Sequence, residues 1–184
     1  MIYPIRAFGD PVLRAKCEEV VSFDDDFKKF INDMYETMDG SDGVGLAAPQ
    51  IGKSLRVFLV DSTIFDKDDP NGIRKAFINA KILEESGEEW AFEEGCLSIP
   101  DVREDVLRKP KLKMKYQTID GTEVTEEFDS MTARVIQHEY DHIEGVLFTD
   151  HISAFKRQLL KSKLNNISRG KVNVRYRMKF PKRK

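Results

Sequence analysis

The residues best suited to chemistry stand together: His138, Glu139 and His142, in the frame H-E-x-x-H. On a helix, residues at i and i+4 leave the same face about one turn apart. His138 and His142 are then placed at two neighbouring corners of a tetrahedral metal site. Glu139 points too far round to share that shell, and suits the general base that acts on a metal-activated water. The chain holds only 3 histidines, so two in this frame around a glutamate favours the metal reading over a chance pair on a surface helix.

One helix supplies two ligands, and the third must come from elsewhere. Residues 155–184 contain no Asp or Glu, which disfavours a protease arrangement with a downstream glutamate ligand. The longer frame H-E-x-x-H-x-x-G-x-x-H is followed through Gly145 and then broken by Phe148, and His151 comes one helical turn too late. The third ligand is better sought upstream, where Cys96 is the best candidate. Gly95 and Pro100 around it predict a shaped loop rather than a strand interior. A divalent metal would lower the thiol pKa to give the thiolate it needs. Three protein ligands leave the fourth position for water, as in a catalytic site. A further candidate is Gln50, at the end of Gly43-Val-Gly-Leu-Ala-Ala-Pro-Gln50, whose amide can donate to a developing oxyanion.

The elements that must position these groups are partly legible. Asp129-Ser130 reads as a capping pair, Met131, Val135 and His138 follow at i, i+4 and i+7, and Gly145 is a stop. Met131 and Val135 therefore share a face with His138 and are expected to line an apolar pocket, with Val44 and Phe92 opposite. Asp10-Pro11 opens a short helix, and Asp24 to Met38 is amphipathic and ends at Gly40. Residues 56–61 read as a buried strand, 75–79 and 81–84 as two more, and Asp120-Gly121 as a hairpin turn between 113–118 and 123–128. Residues 66–72 read as a loop. Residues 155–164 read as a helix with Leu159, Leu160 and Leu164 as its apolar positions. The alternation over 171–178 predicts an edge strand, and 181–184 a frayed end. The fold class expected is α+β: antiparallel or mixed sheets packed around a central H-E-x-x-H helix, with a C-terminal helix.

The 184 residues, 40% hydrophobic and 34% charged, suit one domain over 1–184 with a substantial core. No signal peptide and no membrane-spanning stretch is evident, and the two cysteines, Cys17 and Cys96, make no disulfide framework. A cytoplasmic chain with reduced thiols, acting without a membrane, is the simplest reading. The net charge of −2 hides an asymmetry: 155–184 hold 12 of the 30 basic residues and no acid, leaving 18 against 32 acids and a balance of −14 in 1–154. The basic tail either folds against its own acidic body or docks an anionic partner such as RNA.

Gly43-Val-Gly-Leu-Ala-Ala-Pro-Gln50, Glu94-Gly-Cys-Leu-Ser98 and Gln137-His-Glu-Tyr-Asp-His142 resemble, in order and spacing, the three motifs of bacterial peptide deformylases. The resemblance runs from about Ile5 to Phe148. It implies removal of the formyl group from N-formylmethionine at the start of nascent polypeptides, releasing formate. Carried over by position, Cys96, His138 and His142 bind one divalent metal per chain. The native ion implied is Fe²⁺, although Ni²⁺, Co²⁺ or Zn²⁺ also suit such a site. Glu139 is the general acid/base, Gln50 and the Leu97 N–H hold the formyl oxyanion, Gly45 bonds the substrate backbone, and Arg103 contacts the peptide. The pocket of Met131, Val135, Val44 and Phe92 then takes the methionine side chain. A monomer is expected, with ribosomal RNA as a partner for the tail. The groups assigned all precede the tail, so tail and active site are expected to be separable. A metalloprotease and an RNA-binding module with a structural metal are the competing classes. The upstream cysteine argues against the first, and the unpaired Glu139 beside the metal against the second.

Overall fold

A computed structural model describes residues 1–65 and 72–181. The loop expected over 66–72 and the frayed end over 181–184 fall, except for Gly72 and Pro181, outside the described residues. In chain order the elements are β1 (Ile5–Arg6), α1 (Asp25–Asp39), β2 (Gly45–Ala47), β3 (Val57–Asp61), β4 (Arg74–Ser86), β5 (Trp90–Cys96), β6 (Ile99–Arg108), β7 (Lys111–Gln117), β8 (Glu123–Asp129), α2 (Ser130–Ile143), α3 (Ala154–Ser168) and β9 (Met178–Lys179). The arrangement is α+β, as expected, with α2 at its centre.

β2-β3-β4-β7-β8 form one antiparallel sheet, and β5 and β6 a separate antiparallel hairpin. β3 is buried along its whole length, which explains its unbroken apolar run. α2 lies between the two. Ala133, Ile136 and Ile143 pack with Phe58, Phe77 and Met114 of the sheet. Arg134 reaches the Trp90 and Val106 carbonyls of the hairpin at 2.7 and 2.9 Å. α1 buries Phe27, Ile31, Met34 and Met38 against Leu46, Val57 and Leu59. Its N-cap, Asp24, accepts from the Phe27 N–H at 2.9 Å.

Several local expectations are corrected. The strands read over 75–79 and 81–84 are one strand, β4, with irregular pairing to β7 between Ile78 and Lys81. Asn79 sits there at φ 51°, bonding Val20 and Gln117 through its side chain. Gly45–Ala47, within the stretch 43–50 that had no element assigned, is the edge strand β2. Cys96 ends a strand rather than lying in a loop, and Leu97-Ser98 is the turn that follows it. Asp129 makes no side-chain cap bond; α2 begins instead with Ser130 at φ 52°, its N–H held by the Pro110 carbonyl at 2.8 Å. Leu159 is 66% exposed, and α3 is anchored by Leu164 and Ile167. Among the described residues of the tail, only Met178–Lys179 form a strand, pairing in parallel with β1. Among the described residues, no helix is long and apolar enough to cross a membrane.

Candidate active site

The turn of α2 from His138 to His142 faces the end of β5. The helix brings the two imidazoles to 5.1 Å between ring centres, nearly perpendicular. Cys96 joins them from β5, and one ligand atom from each of the three lies within 4.8 Å of the others. Cys96 Sγ is 3.4 Å from His142 Nε2. Gln50 belongs to a short 3₁₀ turn (Ala48–Ile51) after β2. Its Oε1 accepts from the Ala47 N–H at 2.8 Å, which points Nε2 at Cys96 Sγ (3.4 Å) and Ser98 Oγ (3.5 Å). The amide is thus oriented with its donor toward the cluster. Phe148, standing where a third histidine was sought, stacks on His138 at 6.1 Å.

Glu94 sets the orientation of His138. Its Oε2 lies 2.9 Å from His138 Nδ1, leaving Nε2 for the site. The same carboxylate accepts from Arg108 at 2.7 and 3.0 Å and from Arg134 at 2.9 Å, and Arg108 also pairs with Asp141 at 2.9 Å. Burial opposes ionisation of Glu94, but the bonds from His138 and Arg108 prevail and hold its carboxyl well below the usual range. Burial likewise opposes a thiolate at Cys96, yet the His142 charge and bonds from both histidines bring it down to about 5. A cysteine that favours its anion beside two imidazoles fits a borderline-soft divalent cation. His142 Nδ1 and Glu139 Oε2 are buried and find no hydrogen-bond partner among the described residues. Burial pushes the Glu139 carboxyl up to about 7, against the lowering effect of the two histidines.

Cys96, His138 and Glu139 line a cleft of about 750 Å³. Of the residues singled out for the substrate, Val44, Gly45, Phe92, Arg103, Met131 and Val135 all line it, as do Gln50 and Leu97. Arg103 is exposed at the rim, 3.9 Å from Glu93. Gly45 has a steric reason to be glycine: a Cβ there would stand 2.7 Å from both Cγ and Cδ of Glu139. Cys17 is buried in the main core, where burial foremost pushes its thiol to about 11.

Sequence reasoning passed over the support of the site. Arg134 carried a signal, being one helical turn before His138, and so did Glu94, two residues before Cys96 on the same strand face. Arg108 carried none. Tail and site, expected to be separable, adjoin in the structure. Val174, Arg175 and Tyr176 line the cleft, and the Tyr176 hydroxyl donates to the Leu97 carbonyl at 2.8 Å.

A model of the polypeptide deformylase family matches residues 2–158. A peptide deformylase of Cytophaga hutchinsonii is 55% identical over 184 residues, the full length of both chains. One of Flavobacterium psychrophilum is 53% identical, again over all of both. The crystal structure of peptide deformylase from Thermotoga maritima superposes with a TM-score of 0.75 at 46% identity, covering 83% of this chain and 99% of that one. That of a peptide deformylase from Legionella pneumophila gives 0.82 at 36% identity, covering 93% and 98%. With a family match over most of its length and full-length relatives of this similarity, the chain belongs to the polypeptide deformylase family of enzymes.

Proposed function

We propose that the chain hydrolyses the formyl amide of N-formylmethionine at the start of nascent polypeptides, releasing formate and a free amino terminus. One observation carries the reading: Cys96, His138 and His142 converge beside a cleft that Cys96, His138 and Glu139 line, with Glu139 Oε2 buried and unpartnered among the described residues. Cys96, His138 and His142 would hold one divalent metal, with Fe²⁺ as the native ion we propose. Its chemistry there would be polarisation of the formyl group and activation of water near neutral pH.

The chain's own residues do the rest. The substrate backbone runs extended between the open edge of β2, where Gly45 bonds it, and β5 on the other side. Arg103 meets the peptide at the rim. The methionine side chain enters the apolar wall of Val44, Phe92, Met131 and Val135. Glu139, with a carboxyl near neutrality, takes the proton of the attacking water and returns it to the amide nitrogen as the C–N bond breaks. Gln50 Nε2 and the Leu97 N–H donate to the oxygen that gains charge. The chain acts as one domain and as a monomer, in the cytoplasm where new polypeptides emerge. The one-domain reading is supported by pairing of its N-terminal β1 with its C-terminal β9.

Formate release from formyl-Met peptides but not unformylated ones, coupled to metal analysis of the wild type and Cys96→Ala, tests the assignment. Full metal occupancy in Cys96→Ala would overturn the ligand set. The tail reads as a contact for ribosomal RNA. Lys156 is engaged with Glu104 at 2.7 Å, but Arg157, Lys161 and Arg169 are exposed. Co-sedimentation of an Arg157→Glu/Lys161→Glu variant with ribosomes at low and raised salt tests this: weaker, less salt-sensitive binding is expected.

A further inference from the structure

Residues 171–177 form no strand, yet they do more than end the chain. They run along the cleft and reach the turn between β5 and β6. There the Tyr176 hydroxyl donates to the Leu97 carbonyl at 2.8 Å, and the Phe8 N–H donates to the Ser98 carbonyl at 2.9 Å. Phe8 follows β1, whose Ile5 N–H bonds the Arg177 carbonyl at 2.8 Å, while the Ala7 N–H bonds the Lys179 carbonyl at 3.0 Å. The N-terminal strand, the C-terminal segment and the Leu97-Ser98 turn are therefore clipped to one another.

A turn residue has two peptide planes whose tilt the adjoining strands do not fully fix. β5 does not fully fix the plane before Leu97, because its pairing with β6 is irregular between Gly95 and Cys96. Holding the Leu97 carbonyl sets the plane after Leu97 and, through the Leu97 dihedrals, restrains the plane before it. The N–H of that earlier plane is the donor assigned above to the oxyanion. We propose that Tyr176 is a positioning residue for deformylation: by holding the Leu97 carbonyl, it aims the Leu97 N–H at the oxygen that gains charge. The inference rests on the reading of Leu97 and Gln50 as oxyanion donors. It extends the functional unit into a segment beyond residues 2–158, where the family match ends. Burial first, and the nearby Cys96 charge second, raise the Tyr176 pKa, so the hydroxyl stays a donor throughout the neutral range. The ring packs in the core cluster that includes Leu97, and removing only the hydroxyl leaves that contact in place.

Tyr176→Phe is the test, in the full-length, metal-loaded enzyme with a short formyl-Met peptide. Loss of a whole oxyanion donor costs about 10²–10³ in kcat, and a donor left in place but loosely aimed should lose roughly 5–20-fold. KM is expected to stay within about twofold, because the ground-state carbonyl gains little from that donor. Metal content is expected to be unchanged, and Tm to fall by no more than a few degrees, the cost of one part-buried hydrogen bond. Gln50→Ala, measured alongside, separates the premise from the inference. A loss of kcat in Gln50→Ala with none in Tyr176→Phe overturns the role of Tyr176 and leaves the oxyanion site standing. No loss in either overturns both. A Tyr176→Phe protein with Tm lowered by more than a few degrees and with kcat and KM shifted together has lost a structural contact, and that result also overturns the positioning role.

Discussion

Replacing Glu94 by glutamine changes one oxygen for an NH₂ and should damage both the fold and the metal site. All the acceptor positions of this carboxylate are used. Oε1 takes Arg108 Nε and Arg134 Nη1 at 2.7 and 2.9 Å, and Oε2 takes Arg108 Nη2 and His138 Nδ1 at 3.0 and 2.9 Å. In either orientation the new NH₂ faces two donors, so two charge-assisted bonds are lost and two buried guanidiniums lose a counter-charge. At about 1.5–3 kcal/mol per bond, the loss is roughly 3–6 kcal/mol. Breaking a buried ion pair by removing one partner costs about 3–5 kcal/mol, which agrees. For a chain of this size that is a fall in Tm of roughly 6–20 °C. His138 also loses the acceptor that sets its ring, which should weaken metal binding about 10–100-fold.

The pH dependence of stability supplies a second signature. The Glu94 carboxyl is depressed in the folded chain, so its stabilisation is present above the unfolded-state pKa, about 4.3, and is lost as pH falls below it. Glu94→Gln should therefore have a flatter acid limb in its stability-versus-pH curve. Thermal and urea unfolding monitored by circular dichroism from pH 7 to pH 3, with chelator competition for the metal, reads all three effects. A variant within about 2 °C of wild type and with unaltered metal affinity would refute the reasoning, because the network would then contribute nothing that an amide cannot.

Glu139→Ala should retain its metal and lose about 10²–10⁴-fold in turnover, and near-normal activity of the metal-loaded variant would remove Glu139 from the proton transfers. Gly45→Ala places a methyl group 2.7 Å from Glu139 Cδ, so the carboxylate must shift; kcat should fall by up to about 10², and wild-type kinetics would show that its position is not critical. Val135→Asp puts a charge into a buried apolar wall, and kcat/KM for formyl-Met peptides should drop at least tenfold, by roughly 1.4 kcal/mol or more of lost binding. Unchanged kcat/KM in that variant would mean that the methionine pocket lies elsewhere.

What the sequence determined by itself was local in origin. The period of the helix is enough to put His138 and His142 on one face and Met131 and Val135 beside them, and the amphipathic helix from Asp24 and the hairpin turn at Asp120-Gly121 need only neighbours. Cys96 was reachable because the lack of Asp or Glu in 155–184 sends the search upstream, where the chain holds only 2 cysteines. The three short motifs, in order, were enough to suggest the family. Only the tertiary structure decided the rest. β4 looked like two strands because its irregularity is held by Asn79 bonding Val20 and Gln117, partners far away in the chain. α2 starts on a carbonyl from Pro110, not on the side chain its N-terminal residues advertise. Arg108 gave no local sign of the carboxylate it neutralises, because an ion pair across the β5–β6 hairpin, between residues 14 positions apart, leaves no period to read.

The tail shows the division most clearly. Its alternation is real, since Val172, Val174, Tyr176 and Met178 are each less exposed than the residues between them. Alternation reports which way side chains point, but a strand also needs a neighbouring backbone, and β1 offers one only at Met178–Lys179. The apolar side chains before it pack where the fold leaves space for them. One of these, Tyr176, comes to rest on the Leu97 carbonyl, a contact between residues 79 positions apart that no spacing in the sequence encodes.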